Sequence, residues 1–319
     1  MTELGEHTSE APALDGPVPL DELKELVRLH AGAQGGSAAD CAALLARVVR
    51  EDGRGPGSWV GEWGARARAL DMAGDPLGAS AAWNLARFPH VDSPERATAH
   101  TRSVDAFARW AALVPGARRI EVPYAGSSFG VWTAALRPDR PLLVIVGGIV
   151  STKEQWGGFL PLARRLGFAV AVTELPGVGE NPLRYDADSA GLYPALLDRL
   201  AGRADVDRSH LLAFSFGGHL ALRAAGTEPR IRSVATVGAP VSALFQDRDW
   251  WSALPRTTTR TLAALARVPE RELFGYVHDW ALTVEELRAV RVPVSYVASR
   301  RDEIVPPADP RLLARHLSD

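Results

Sequence analysis

The sequence predicts an α/β fold in which a mostly parallel sheet carries helices on both faces. The first observation is a series of short apolar segments that alternate with helical patterns from about residue 119 onward. The second is a continuous apolar strand at residues 142–146, which must be buried on both faces. The third is a strand at residues 210–214 that leads directly into a small-residue turn and a helix. Right-handed crossovers between such elements produce a parallel sheet.

Composition and charge are those of an ordinary globular protein. The 319 residues are 46% hydrophobic and 23% charged, and the net charge is -2. No basic surplus indicates nucleic acid as a partner, and no polybasic run indicates a membrane surface. The N-terminus lacks the apolar core of a secretory signal, and no apolar run approaches the ~20 residues that cross a bilayer. We therefore expect a cytoplasmic protein without nucleic-acid or membrane partners.

The chain is expected to divide into four parts. Residues 1–16 have the composition of a disordered tail, and residues 17–116 form an N-terminal helical region. Residues 117–240 and 291–319 form the α/β core. Residues 241–290 form an aromatic-rich helical insert, which we interpret as a lid over the edge of the sheet where such folds bind ligands. Simple packing on the sheet edge is the alternative for this insert.

The strands of the core can be placed from their apolar runs. A Gly-Ser turn is expected to join the first two of them as a hairpin. The expected strands are residues 119–124, 130–136, 142–146, 169–172, 210–214, 234–237 and 293–298.

The strongest functional signal is the segment LAFSFGGH at residues 212–219. It follows a strand and opens a helix, which is the context of the nucleophile elbow usually written G-x-S-x-G. The turn is so tight that the residues two before and two after the serine must be small, and here they are Ala213 and Gly217. The pattern predicts an α/β-hydrolase fold with Ser215 as the nucleophile. An ordinary small-residue turn from strand to helix is the alternative.

Two backbone amides are expected to stabilise the oxyanion. The Phe216 N–H follows the nucleophile and supplies the first donor. The second donor should come from the loop after an earlier strand, where Gly147 and Gly148 allow close approach of the backbone. We expect the Ile149 N–H to be that donor and Gly148 to contact the substrate.

The acid of a catalytic triad should lie in the loop after a later strand. Asp302 fits this position, with Glu303 as the second choice. The order along the chain, serine and then acid, is the order typical of this fold.

Three groups of residues resemble the FrsA-like branch of the α/β-hydrolases. They are GGIVSTKE at 147–154, ELPGVGE at 174–180, and FSFGG at 214–218 followed by ALRAA at 221–225. That branch includes the 2,6-dihydropseudooxynicotine hydrolases and the fungal naphthopyrone chain-shortening hydrolases. The resemblance covers residues 59–306, and the Ser-Thr-Lys-Glu loop is its most specific part. Glu174 stands where the family usually has aspartate.

The general base is the component that the sequence leaves open. The resemblance implies a catalytic histidine roughly 25–30 residues beyond the acid, after one more strand. The residues after Asp302 are expected to form one helix, so we expect that strand and its histidine loop to be missing. His278 is the first candidate for the base because it could swing over the site from the insert. His219 and His316 lie on helices and are expected to face away from Ser215.

These observations predict one of two functions. The resemblance implies a serine hydrolase or acyl-transferring enzyme, an esterase or a hydrolase of carbon–carbon bonds beside a carbonyl. Its substrate would be small and hydrophobic or polyketide-like, as in secondary metabolism. The alternative is a hydrolase-fold protein with an incomplete triad, which binds, shapes or cyclises an intermediate without hydrolysis.

The expected ligand is a small molecule bound in an aromatic pocket. We expect Trp250, Trp251 and Trp280 of the insert to line this pocket, together with the N-terminal helices. The sequence contains no recognisable metal cluster or dinucleotide fingerprint, so no cofactor is expected. A second copy of the chain, in a homodimer, remains a candidate partner.

Overall fold

The computed structural model describes residues 18–33 and 37–317. The tail expected at residues 1–16 therefore lies outside the described residues. The strands of the described chain form one sheet in the order β1-β2-β4-β3-β5-β6-β7. They are β1 (Arg118–Tyr124), β2 (Ser127–Ala134), β3 (Pro141–Val146), β4 (Ala169–Thr173), β5 (Asp205–Phe214), β6 (Ile231–Val237) and β7 (Val294–Val297).

Helices precede the sheet and alternate with its strands. The N-terminal helices are α1 (Leu20–Ala33), α2 (Ala38–Arg47), α3 (Trp59–Met72), α4 (Pro76–Arg87) and α5 (Pro94–Ala111). The later helices are α6 (Ala163–Leu166), α7 (Leu192–Leu200), α8 (Phe216–Ala225), α9 (Ala243–Gln246), α10 (Arg248–Ser252), α11 (Arg256–Ala266), α12 (Glu270–Val277), α13 (Val284–Ala289) and α14 (Ala308–His316). Within the described residues, short 3-10 helices also lie at Lys153–Phe159, Ser189–Gly191 and His278–Trp280.

The predicted fold class is confirmed. Strands β3 to β7 pair in parallel, whereas β1 and β2 join the same sheet in antiparallel pairs. All five residues of β4 are buried, as expected for a strand whose two faces are both covered by other elements. The sheet thus places the ends of β3, β5, β6 and β7 at one edge.

The first hairpin differs from the expectation at its turn. Its two-residue loop is Ala125-Gly126, since Tyr124 pairs directly with Ser127. Both loop residues have positive φ, 48° and 76°, which is the geometry of a tight type I′ turn. Of the Gly-Ser pair expected as the turn, only the glycine lies in the turn, and the serine is the first residue of β2. Strand β2 therefore starts three residues earlier than expected.

The N-terminal helices have a core of their own, built around Trp59, Trp63 and Trp83. Helix α5 starts after a capping serine, since Ser93 Oγ accepts a hydrogen bond from the Arg96 N–H at 3.3 Å. These helices also contact the sheet region directly: Gly157 packs so closely on Phe107 of α5 that an added Cβ would lie 2.1 Å from its ring.

The insert after β6 contains helices α9 to α13. Asp309 of α14 fixes its start, because this buried carboxylate accepts hydrogen bonds from the N–H groups of Val241, Ser242 and Ala243 at 2.7–3.0 Å.

Among the helices of the described chain, none combines the length and apolar character that crossing a membrane would require.

Candidate active site

Ser215 occupies the turn between β5 and α8. Its backbone has φ 51° and ψ -126°, an unusual conformation for a residue with a side chain. Such a conformation costs about 1–3 kcal/mol and persists only where the surroundings enforce it. Here the Ser215 N–H donates to the Val237 carbonyl at 2.9 Å, and the Ser215 carbonyl accepts from the Gly218 N–H at 2.8 Å. The strained turn holds the hydroxyl above the end of the sheet.

The small residues of the elbow are required by close packing. A Cβ at Gly217 would lie 2.4 Å from the Gly147 carbonyl oxygen. A Cβ at Gly218 would lie 1.9 Å from Thr236 Oγ1. Larger side chains at these positions would push α8 away from the sheet and displace Ser215.

The loop after β3 lies against the nucleophile. Val146 at the end of β3 is paired with Ala213, two residues before Ser215. A Cβ at Gly148 would lie 3.0 Å from Ser215 Cβ and 3.5 Å from its Oγ. The next residue, Ile149, lines the same cavity as Ser215 and Phe216. The structure thus brings together the residues whose amides were expected to bind the oxyanion.

A buried ion-pair network anchors this loop. Lys153, with none of its surface exposed, lies within 3.0 Å of carboxylate oxygens of Glu154, Glu174 and Glu180. Burial alone would lower the pKa of Lys153, but the three carboxylates outweigh it and raise that pKa above its ordinary value. The ammonium is therefore charged. The Ser-Thr-Lys-Glu segment, the most specific part of the family resemblance, thus connects the loop after β3 to the loop after β4 through ion pairs.

Asp302 lies in the loop after β7, at the same edge of the sheet. Its Oδ1 accepts hydrogen bonds from the N–H groups of Ile304 and Val305 at 3.0 and 2.9 Å. Its Oδ2 faces Gly238, the residue that follows β6. The last residue of β6 also accepts, through its carbonyl, the hydrogen bond from the Ser215 N–H. The acid and the nucleophile therefore lie on adjacent loops. Glu303, the second choice, is exposed.

Ser215 opens into a cavity of about 250 Å³. The core contributes Gly148, Ile149 and Phe216 to its walls, and Trp156 stacks on Phe214 with ring centroids 4.1 Å apart. As far as the described residues form them, the walls contain no Asp, Glu, Lys or Arg side chain. The cavity therefore suits a small, uncharged ligand.

The tryptophans expected to bind substrate lie elsewhere. Among the described residues, the cavity lining includes none of the three. Trp280 is buried in an aromatic cluster with Tyr185 and Phe245. Trp250 donates its Nε1–H to the Ile304 carbonyl at 2.9 Å, and Trp251 packs on Phe274. The insert contributes Thr257 and Thr258 of α11 to the cavity instead.

The histidines considered as bases are also outside this cavity lining. His278 is exposed in the short 3-10 helix of the insert, with its ring 6.4 Å from Phe274. His219 is buried on α8, and its Nδ1 lies 3.1 Å from the Pro240 carbonyl oxygen. His316 lies in the last turn of α14. The structure does not bring these three histidines to Ser215.

His30 of α1 does line the cavity with Ser215. Its ring packs on Phe88 with centroids 5.3 Å apart. Burial, with a contribution from Arg87, lowers the pKa of His30 to about 4. The signal available in the sequence was its position on the apolar face of α1, with Leu23, Leu26 and Val27, but a helix face alone does not show what it will cover.

Contacts made by Arg87 and Glu22 help to hold the N-terminal helices over the site. The buried Arg87 of α4 donates to the carbonyl of Val150, next to Ile149, at 2.8 Å. Glu22 of α1 accepts from the N–H groups of Arg256 and Thr257, at 3.1 and 2.6 Å, and from the Thr257 hydroxyl. Its carboxylate thereby caps the first turn of α11, where helix amides lack intrahelical partners.

Comparison with known proteins places this geometry in context. A family model described as the α/β-hydrolase fold matches residues 141–304. The chain is 26% identical over 290 residues to Esterase FrsA of Citrobacter koseri, covering 82% of this chain and 70% of that protein. It is 25% identical over 285 residues to Esterase FrsA of Vibrio cholerae, covering 81% and 68%.

Solved structures show the same similarity. The structure named AbyA5 wild type is 51% identical, with a TM-score of 0.89 over 94% of this chain and 85% of that chain. The structure of 2,6-dihydroxy-pseudo-oxynicotine hydrolase is 22% identical, with a TM-score of 0.71 over 91% and 85% of the two chains. At that identity the second similarity concerns the fold.

Proposed function

Because the chain belongs to the α/β-hydrolase family, and within it to the FrsA-like branch, we propose that it is a serine hydrolase of small, uncharged carbonyl compounds. The substrate would be an ester, or a compound with a carbon–carbon bond beside a carbonyl, of hydrophobic or polyketide-like character. The observation that carries the proposal is the strained Ser215 elbow at a cavity whose described walls bear no charged side chain.

In this proposal Ser215 Oγ attacks the substrate carbonyl and forms a tetrahedral intermediate, while the hydroxyl proton passes to solvent water. The Ile149 and Phe216 amides donate to the oxyanion, and the N-terminal end of α8 favours the negative charge. Collapse of the intermediate expels the leaving group, which takes up a proton from water, and leaves an acyl group on Ser215. A further water molecule then hydrolyses this ester to the free acid and restores the serine hydroxyl. Removal of one oxyanion donor in related chemistry costs about 10²–10³-fold in rate, so these amides carry much of the catalysis.

Asp302 is proposed as the acid of the site. Its Oδ1 holds the loop after β7 in place, while Oδ2 is directed toward the loop after β6. An acid in this position orients and stabilises a cationic base without itself taking up a proton.

A second function is favoured by one observation: among the described residues, the lining of the Ser215 cavity includes none of the three histidines considered as bases, and burial lowers the pKa of His30, which does line it. A group with a pKa near 4 is a weak base at neutral pH, and general-base help is worth about 10²–10⁴-fold. The same cavity could then polarise a carbonyl for a rearrangement or cyclisation without hydrolysis. The oxyanion donors would serve either reaction.

The test uses p-nitrophenyl butanoate with the 319-residue chain and its Ser215→Ala variant. We expect slow, serine-dependent release of nitrophenol and a covalent butanoyl adduct on Ser215, detected by intact mass and located by peptide mass spectrometry. Equal rates in the two proteins would overturn the proposed nucleophile. Persistence of the butanoyl adduct on Ser215, without release of free butanoate, would favour the second function, because hydrolysis of the acyl-enzyme would then be missing.

A further inference from the structure

We propose that Trp156 limits the length of one of the two groups attached to the carbonyl that Ser215 attacks. Its ring closes the Ser215 cavity toward a neighbouring cavity, so the group directed at this ring must be short. The inference rests on the proposed function and deepens it, because it assigns a specificity-determining residue and narrows the substrate class.

Two cavities adjoin at Trp156. The first, of about 250 Å³, contains Ser215, and the second, of about 220 Å³, is lined by residues of α4 and of the 3-10 helix at Lys153–Phe159. Among the described residues, the two linings share Gln155 and Trp156 and no others. These two side chains therefore form the wall between the cavities.

The Trp156 ring is held firmly in this wall. It stacks on Phe214, the residue before Ser215, with ring centroids 4.1 Å apart and an angle of 2° between the ring planes. Its Nε1 lies against Gly147 in the loop after β3, since a Cβ added to that glycine would lie 2.5 Å from this nitrogen. The ring thus contacts both segments that surround the reacting carbonyl, and a group extending from that carbonyl toward the second cavity would meet it first.

Part of the second cavity is apolar and suits an alkyl chain. Its apolar lining includes Leu77, Ala81, Phe159 and Leu162. Such surface would stabilise a chain that reached it, since burial of each methylene group raises the affinity about fourfold. With Trp156 in place, a ligand in the Ser215 cavity does not gain this stabilisation.

The polar side chains of the second cavity have partners within the protein. Ser80 Oγ donates to a carbonyl of α5 at 2.8 Å, and Asn84 Oδ1 accepts from Arg87 Nη2 at 2.6 Å. The carboxylate oxygens of Glu154 are buried, and Oε1 lies 3.0 Å from Lys153 Nζ. An alkyl chain in this cavity would leave those contacts intact.

The experiment compares the length preference of binding in a Ser215→Ala background, where turnover does not interfere. Its probes are two series of esters. Methyl butanoate, methyl hexanoate and methyl octanoate lengthen the acyl group, whereas butyl, hexyl and octyl acetate lengthen the alcohol group. Dissociation constants come from ligand-observed NMR titrations, which do not depend on tryptophan fluorescence.

The protein with Trp156 should bind the eight-carbon ester no more tightly than the six-carbon ester in one of the two series. In that series we expect Trp156→Ala to raise the affinity for the eight-carbon ester, relative to the four-carbon ester, by about tenfold or more. Trp156→Phe keeps an aromatic ring on Phe214 and should retain most of the original preference. Gln155→Ala removes no aromatic stacking and should shift the preference in the same direction by a smaller factor.

The matched control is Trp110→Ala. Trp110 is also half-buried and packs on an aromatic ring, that of Phe107, at a centroid distance of 5.1 Å. It lies outside the described linings of both cavities. Its removal reproduces the general loss of aromatic packing and should leave the length preference unchanged.

Three results would overturn the inference. They are an unchanged length preference in every folded variant of Gln155 and Trp156, an equal shift in Trp110→Ala, and no measurable binding of any of the six esters to Trp156→Ala. If Trp156→Ala does not fold, Gln155→Ala decides the question. The proposed function is judged separately, by the loss of p-nitrophenyl butanoate hydrolysis in Ser215→Ala. If hydrolysis survives that substitution, the nucleophile assignment fails, whereas the length preference still tests Trp156.

Discussion

Lys153 and Glu174 join the loop after β3 to the loop after β4 through two contacts at 2.9 Å. The Lys153 Nζ contacts Glu174 Oε1, and the Lys153 main-chain N–H donates to Glu174 Oε2. Both side chains are fully buried. Since Gly148 and Ile149 precede Lys153 in the same loop, this ion pair controls the position of the backbone beside Ser215.

Replacing Lys153 by methionine should strongly destabilise the protein. The substitution would leave Glu174 and Glu154 buried without the ammonium, and breaking a buried pair by removing one partner costs about 3–5 kcal/mol. The free energy of unfolding, measured by urea titration, tests this expectation. The control is Arg137→Met, because the Arg137–Asp139 pair is 61% and 68% exposed and should contribute about 1 kcal/mol or less. Equal effects of the two substitutions would contradict the assigned role.

Gly148→Ala should impair catalysis more than folding. Its new Cβ would lie 3.0 Å from Ser215 Cβ, so the oxyanion loop must shift by a few tenths of an ångström. We expect kcat to fall by about tenfold or more, since displacing one donor costs up to about 10²–10³-fold. Gly158→Ala is the matched control, because nothing lies within 4 Å of its Cβ position. A normal kcat in Gly148→Ala would show that this loop does not approach the reacting carbonyl.

Glu22→Ala should weaken substrate binding by loosening α1. The substitution removes the carboxylate that caps the first turn of α11, and losses of this kind cost about 0.5–2 kcal/mol. Because Leu26 and His30 of the same helix line the cavity, we expect KM to rise severalfold with a smaller change in kcat. Glu25→Ala, on the exposed side of α1, should leave KM unchanged. Equal KM values in the two variants would argue against a role of this contact in binding.

The stability of the protein should fall as the pH is lowered below 6.5. His219 is 1% exposed, and burial, with Arg223 adding to it, lowers its pKa from 6.5 to about 3. Between these values the unfolded chain binds a proton that the folded chain excludes, so the free energy of unfolding decreases by about 1.4 kcal/mol per pH unit for this residue. Urea titrations at pH 7, 6 and 5 measure the slope. His219→Phe should lower the slope by one proton, and an unchanged slope would exclude this residue as a source.

The sequence was most informative where the structure is determined locally. The strand, turn and helix around Ser215 lie within one short segment, and the steric limits at Gly217 and Gly218 act between consecutive elements of the sheet. The family and the fold class, both confirmed, depend on such segments. The loop with Gly148 could be placed near Ser215 because adjacent parallel strands end at a common edge.

The far walls of the cavity depend on packing between distant segments, which local patterns do not encode. An aromatic-rich insert suggested Trp250, Trp251 and Trp280 as lining residues, yet the same apolar character also favours burial of Trp280 against Tyr185. His30 showed only an apolar helix face in the sequence. Which surface that face covers depends on how α1 docks against α11. Glu22 stabilises this docking, but its contact on α11 is so distant along the chain that no short motif reveals it.

The contact between Glu22 and Thr257 also has a consequence for the timing of folding. The two residues are 235 positions apart, so during synthesis α1 leaves the ribosome long before its partner helix exists. Domains and their parts emerge in order from the N-terminus. The early helices can pack on Trp59 and Trp63, but the walls of the Ser215 cavity can be completed only after α11 has emerged. The nascent protein should therefore acquire its helical core first and its ability to hold a ligand near the end of translation.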